Sequence, residues 1–216
     1  GGTQNIFIGN DAGGGTWVTA ASNNNVAIGA TAMSAALNGA VNNTGVGHDG
    51  LKSITTGKYN TTLGSVSGTS ITTGEYNIAI GADALLTEDT GSANIAIGYQ
   101  ALKVLDYGAL GHNIAVGYRS GLDVSTGIRN VFIGGFSGYE ATTNEGCIFI
   151  GHEAGKNTKG AYHDNIAIGR ASLSYAHTHT GTVAIGAAAL EVCTGGEFNT
   201  AVGYRAGDNV NTGDGN

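Results

Sequence analysis

The sequence predicts an all-β fold, a β-solenoid in the form of a parallel β-roll with about twelve coils of ~17 residues. Three observations carry that expectation. A glycine preceded by an aliphatic residue recurs at Gly9, Gly29, Gly47, Gly64, Gly81, Gly98, Gly117, Gly134, Gly151, Gly169, Gly186 and Gly203. The intervals are 20, 18, 17, 17, 17, 19, 17, 17, 18, 17 and 17 residues, and a fixed period of this length marks a solenoid. Asn stands four residues before that Gly in ten of the twelve copies, with Cys147 and Thr182 in the other two. Finally, Gly makes up 39 of 216 residues and Pro is absent, yet 41 % of residues are apolar and recur in register. A core can therefore form, and no strand ladder loses a donor to proline.

Each repeat position has an expected task. With the recurrent Gly as position 5, positions 1 to 4 read as a strand. Position 4 is aliphatic in every copy, and position 2 is aliphatic in nine and Thr in three. Because these two positions alternate along the strand, they share a face and are expected to form the interior ladder, with Ile80 and Ile97 as examples. Gly81, Gly98 and their equivalents end the strand at a φ unfavourable for other residues. Position 8 is always Ala, Ser or Gly, which lets the returning backbone come close. A Thr-Gly pair, as at Thr56-Gly57 and Thr73-Gly74, supplies the second turn. Asn at position 1, as in Asn77 and Asn94, either stacks amide on amide along the solenoid or satisfies its own turn. Both roles are structural.

Position 3 points away from positions 2 and 4. It is Ala in seven copies, Phe in three (Phe7, Phe132, Phe149), and Gly45 and Thr62 in the others. A strand apolar on both faces is buried on both faces. Position 3 is therefore expected to form an outer surface covered by another chain, which predicts self-association.

The net charge is −7 and the charged fraction 12 %, with no Lys/Arg block, so phosphate-neutralising contact with nucleic acid is not expected. No stretch approaches the ~20 apolar residues of a membrane helix, so this segment is not expected to insert in a membrane. Cys147 and Cys193 fall about two or three layers apart on different parts of the coil, and are expected to be buried free thiols. The pattern is already running at Gly2-Thr3-Gln4-Asn5 and still running at Thr212-Gly213-Asp214-Gly215-Asn216. Residues 1–216 are therefore expected to be one repeat domain, a fragment of a longer fibre. A three-sided hexapeptide helix would need an aliphatic echo every six residues, which is missing after Ile80 and Ile97. A calcium-binding roll would need Gly-Gly-x-Gly-x-Asp nonapeptides, which are also missing. Thr concentrates at turns, where no flat ice-binding face would form.

The motifs Asn77-Ile78-Ala79-Ile80-Gly81, Asn94-Ile95-Ala96-Ile97-Gly98-Tyr99-Gln100-Ala101-Leu102 and Asn199-Thr200-Ala201-Val202-Gly203-Tyr204-Arg205-Ala206-Gly207 resemble two related repeat classes. One is the head repeat of trimeric autotransporter adhesins, and the other the repeat of bacteriophage tail fibres. The resemblance covers essentially the whole chain. It implies left-handed parallel β-rolls that associate as homotrimers and serve attachment at a virion or bacterial cell surface. Adhesin head repeats are usually shorter and favour Ser at position 2, and this chain carries the Thr-Gly lead-in, so the phage-fibre branch is the nearer.

Candidate binding residues lie where the repeat varies. Positions 6 and 7 form an exposed rim, and Tyr99, Tyr118 with Arg119, and Tyr204 with Arg205 are candidate contacts for a glycan or protein receptor, or ordinary turn cover. Trp17 falls in the longest interval, where a loop would carry binding or cap a local irregularity. His177 and His179 are weak metal candidates, since His179 aligns with the peripheral Thr-Gly turn. Glu88, Asp89 and Glu153 have no evident catalytic partner. No enzyme activity and no cofactor are expected. The expected function is a shaft or head segment of a trimeric viral tail fibre, or alternatively a bacterial adhesin head that binds matrix protein or glycan.

Overall fold

This computed structural model describes residues 2–15, 20–160, 162–176, 180–208 and 213–215. The chain divides into two compact units, Gly1–Gly111 and His112–Asn216. Both are parallel β-solenoids, and the described residues contain no helix.

In the first unit the strands are β1 (Ile6–Ile8), β2 (Val26–Ile28), β3 (Thr44–Val46), β4 (Thr61–Leu63), β5 (Ile78–Ile80) and β6 (Ile95–Ile97), one to a coil. Each pairs with the next in parallel with no register shift, so Ile78, Ala79 and Ile80 face Ile95, Ala96 and Ile97. The second unit repeats the arrangement with β7 (Ile114–Val116), β8 (Val131–Ile133), β9 (Ile148–Ile150), β10 (Ile166–Ile168), β12 (Val183–Ile185) and β14 (Thr200–Val202). There β11 (Tyr175–Ala176) and β13 (Val192–Cys193) form a short second sheet. Isolated parallel bridges, Val41 to Lys58 in the first unit and Ile128 to Glu145 in the second, mark another side of the roll.

The turn after each strand is built as the repeat suggests. Gly81 has φ +127°, and a Cβ there would stand 2.5 Å from the carbonyl oxygen of Gly98 in the next coil. Both its backbone angle and its neighbour demand glycine. The turn then passes twice through the left-handed region, at Asp83 (φ 56°) and Leu85 (φ 50°), and the equivalent residues of other coils do the same. This tight path returns the chain over the small residue at position 8. The hydroxyls of Ser120 and Ser137 donate to the position-3 carbonyl of the next coil, Phe132 at 3.0 Å and Phe149 at 2.8 Å, whereas Ser67 and Ser172 donate to the Gly64 and Gly169 carbonyls of their own coils.

The strand faces are the reverse of the sequence expectation. Position 3 points into the coil: Ala27, Ala79, Ala96, Ala115, Phe132 and Phe149 are completely buried. Positions 2 and 4 point outward, with Ile8 57 %, Leu63 51 % and Val202 66 % exposed. Ile80 and Ile97 do stack in register, but on the outside. The reason is volume. A narrow coil must also hold position 9 and position 12, and in the last two coils of the first unit those are Leu85 with Glu88 and Leu102 with Leu105, all buried. An Ala at position 3 leaves room for them, whereas two branched side chains per strand would overfill the space.

The interior volume is shared within each coil. Where position 3 is Phe, position 9 is Gly: Phe7 with Gly13, Phe132 with Gly138, and Phe149 with Gly155. A Cβ on Gly155 would lie 2.3 Å from the Phe149 ring. Phe132 and Phe149 pack on each other with centroids 5.5 Å apart. The Phe residues thus fill their own coils and do not reach toward a neighbouring chain.

Candidate functional site

The buried Asn column is a scaffold for everything outside it. Asn43, Asn60 and Asn77 are completely buried in successive coils. Asn60 donates its backbone N–H to Asn43 Oδ1 at 3.0 Å, and its Nδ2 reaches the carbonyl of Gly74 at 2.8 Å. Asn60 thus takes part in the inter-coil ladder and braces the Thr-Gly turn fourteen residues on, whereas the local alternative is seen at Asn94, whose Nδ2 donates to the Ser92 carbonyl at 3.3 Å. In the second unit the column passes through Cys147, whose N–H donates to Asn130 Oδ1 at 3.0 Å, and Thr182, whose N–H donates to Asn165 Oδ1 at 2.9 Å. Cys147 and Cys193 are buried free thiols, and burial pushes the Cys147 thiol up to about 11. Such a thiol is unreactive at neutral pH.

Of the rim candidates, the structure brings Tyr118 and Arg119 together, the guanidinium carbon lying 5.2 Å from the ring centroid. Tyr99 is exposed on the last coil of the first unit. Tyr204 is 74 % exposed, and Arg205 forks onto Asp208 through Nε at 3.0 Å and Nη2 at 2.7 Å. Trp17, His177 and His179 lie outside the described residues.

Around Tyr118 the second unit assembles a cluster that the sequence reading missed. Phe136 sits at position 7 of the next coil, its N–H bonded to the Tyr118 carbonyl at 2.9 Å. Its ring lies 5.3 Å from Tyr118 at an interplanar angle of 67°, and 6.0 Å from His152 at 80°. Tyr139 is 5.6 Å away. Lys156 Nζ stands 5.5 Å over the Phe136 ring and pairs with Glu153 Oε1 at 2.6 Å. That pairing, with His152 and Arg170 nearby, holds the Glu153 carboxyl below its ordinary value, and it raises Lys156. A signal was available in the sequence: rim positions of neighbouring coils abut, so Tyr118, Phe136 and His152 had to meet.

The second chemically distinct place is Glu88 in the first unit. It occupies the interior position filled by Ile54, Ile71 and Leu105 in other coils, and is completely buried. Oε1 accepts from Gly91 N–H at 2.6 Å and Oε2 from Tyr107 N–H at 3.2 Å. Desolvation pushes its carboxyl up to about 7, with Asp106 and Asp89 adding to the rise and the two N–H groups opposing it. One oxygen from each of Glu88, Asp89 and Asp106 lies within 4.8 Å of the others. Both Glu88 oxygens are already engaged, so the carboxylate ties down the loop of the overlong repeat. Sequence reasoning saw no partner for Glu88 because both are backbone groups.

No family model, curated protein or solved structure matches this chain.

Proposed function

We propose that this chain is a structural attachment segment, the shaft or head of a trimeric viral tail fibre, self-associating through its Ile/Val face. One observation carries this reading: each unit presents on its outside a band of exposed and half-buried aliphatic side chains, unbroken at position 4 and interrupted at position 2 only by Thr44, Thr61 and Thr200. In the first unit it includes Ile6, Ile8, Ile28 and Leu63, and in the second Ile133, Ile168 and Val202. Parallel sheets are normally covered on both faces, and contiguous exposed apolar surface of this kind marks an interface. The repeat resemblance supports three copies as the occupants. The sequence argument for self-association thus moves from position 3 to positions 2 and 4. A stiff hydrogen-bonded scaffold with one apolar face and a variable polar rim suits holding a receptor contact away from a particle. The aromatic cluster around Phe136 favours a segment that also makes contact, the role of a bacterial adhesin head in the alternative reading.

Native mass spectrometry and light scattering test the proposal. Three copies are expected, and Ile80→Glu with Ile97→Glu should shift the population to monomer without loss of β-structure. A stable monomer in the unsubstituted protein refutes it.

A further inference from the structure

The second turn of the first unit changes its fastening at Glu88. In the preceding coils it is tied by backbone bonds, from Thr55 N–H to the Thr72 carbonyl at 2.9 Å and from Thr72 N–H to the Asp89 carbonyl at 2.8 Å. At the next step the tie runs through a side chain, since Tyr107 N–H donates to Glu88 Oε2 at 3.2 Å. The segment held in this way is a strap pinned at both ends by groups other than Glu88. Before it, the Thr87 hydroxyl donates to the Leu105 carbonyl at 2.9 Å. After it, Ser92 N–H donates to the Ala109 carbonyl and Gly111 N–H to the Ser92 carbonyl, both at 3.0 Å. Between the pins lie Asp106, Tyr107 and Gly108, of which Asp106 and Gly108 are exposed. The strap can therefore lift at its middle while its ends stay in the coil.

The charges around Glu88 are all of one sign. Asp89 on its own turn and Asp106 on the strap each bring an oxygen within 4.8 Å of it. The turn of the preceding coil, Ile71-Thr72-Thr73-Gly74, carries no titratable side chain. Lys103, ahead of the strap, pairs with Asp83 at 3.6 Å. A completely buried carboxylate beside two others is disfavoured by desolvation and by repulsion. A neutral carboxyl avoids both costs and keeps lone pairs for the N–H groups of Gly91 and Tyr107.

We propose that the Asp106–Gly108 strap is a proton-operated latch: neutral Glu88 holds it against the turn at Gly91, and loss of that proton to solvent releases it. The sign follows from burial. Desolvation lifts the closed-state carboxyl to about 7, and opening returns it to water and toward its ordinary 4.5. Closure is fully favoured below about pH 4.5, and that preference is lost as pH rises through about 7.

The test is amide hydrogen exchange of the intact chain, read residue by residue by NMR in the presence of EDTA and corrected for the intrinsic effect of pH. Protection of the Tyr107 amide should fall about tenfold or more between about pH 5 and about pH 8, while the Ser92 and Gly111 amides hold theirs. Glu88→Gln keeps a neutral acceptor and should leave the Tyr107 amide protected at every pH. Asp106→Asn removes one repelling charge and should move the release to higher pH-independent protection only in part, shifting its midpoint downward as the Glu88 carboxyl becomes easier to ionise. Unchanging protection of Tyr107 in the parent, or the same fall in Glu88→Gln, overturns the proposal. So does a parallel loss at Ser92 and Gly111, which would mean that the whole coil opens and the strap does not.

Discussion

Asn94 donates its backbone N–H to Asn77 Oδ1 at 3.0 Å across one coil, and both side chains are completely buried. Asn77 Nδ2 meanwhile donates to the Gly91 carbonyl at 2.9 Å. Asn77→Ala therefore leaves one donor and one acceptor unsatisfied in the interior, a cost of roughly 2–5 kcal/mol. Adding Asn94→Ala breaks the next step of the column. A chemical denaturation curve for the single and double variants should show successive losses, and an unchanged midpoint would remove the ladder from the account of stability.

The column is weaker at Cys147. Its thiol lies 3.5 Å from the Tyr162 carbonyl and 4.0 Å from Asn165 Nδ2, soft contacts where other coils have amide hydrogen bonds. Cys147→Asn is expected to stabilise the second unit by about 1 kcal/mol for each bond regained. Differential scanning calorimetry checks it; a lower melting temperature would show that the site no longer accommodates an amide.

Gly81 and Gly135 make a matched pair of substitutions. Gly81→Ala forces a Cβ against the Gly98 carbonyl at an unfavourable φ, and should cost about 3 kcal/mol or more. Gly135→Ala, whose Cβ would meet nothing nearer than His152 Cδ2 at 3.4 Å, should lie within about 0.5 kcal/mol of the parent. Urea titrations of both, giving similar losses, would contradict the assignment of Gly135 as a glycine the fold does not need.

Phe149 and Gly155 share one interior volume. Phe149→Ala alone should cost about 3–5 kcal/mol as a cavity, and Gly155→Leu alone should overpack the coil. Together they recreate the pairing of Ala167 with Leu173, where Leu173 is buried at φ 50°. A double-mutant cycle should return a coupling of about 1–3 kcal/mol in favour of the pair. Strict additivity would sink the shared-volume argument.

Glu88 makes stability depend on pH. Its folded-state pKa, about 7, lies above the ordinary 4.5, so protonation favours the fold. The stabilisation is complete below about pH 4.5 and disappears as pH rises through about 7. Glu88→Gln removes that slope. Subtracting its stability profile from that of the parent should leave a decline confined to this window, and a flat difference would refute the assignment.

Much of this architecture was legible as spacing. The recurrent Gly, the small residue at position 8 and the Asn column are each set by a local requirement: a φ value, a close backbone approach, a pair of hydrogen bonds. Such requirements select residue types directly, and they recur at the coil period. The aromatic cluster was less legible because Tyr118, Phe136 and His152 belong to three coils and differ in type. Only the stacking places their rims side by side. Glu88 was hidden for a related reason, since its partners are the N–H groups of Gly91 and Tyr107, which carry no side-chain signature.

The sequence by itself determined the period, the coil ends and the parallel in-register stacking. The tertiary structure alone decided which face of each strand is inside. Positions 2, 3 and 4 are all apolar, so alternation gives no sign, and a shift of one residue exchanges the two faces. Interior volume breaks the tie: the coil has room for Ala79 beside Leu85, or for Phe149 beside Gly155, but not for paired branched side chains such as Ile78 and Ile80.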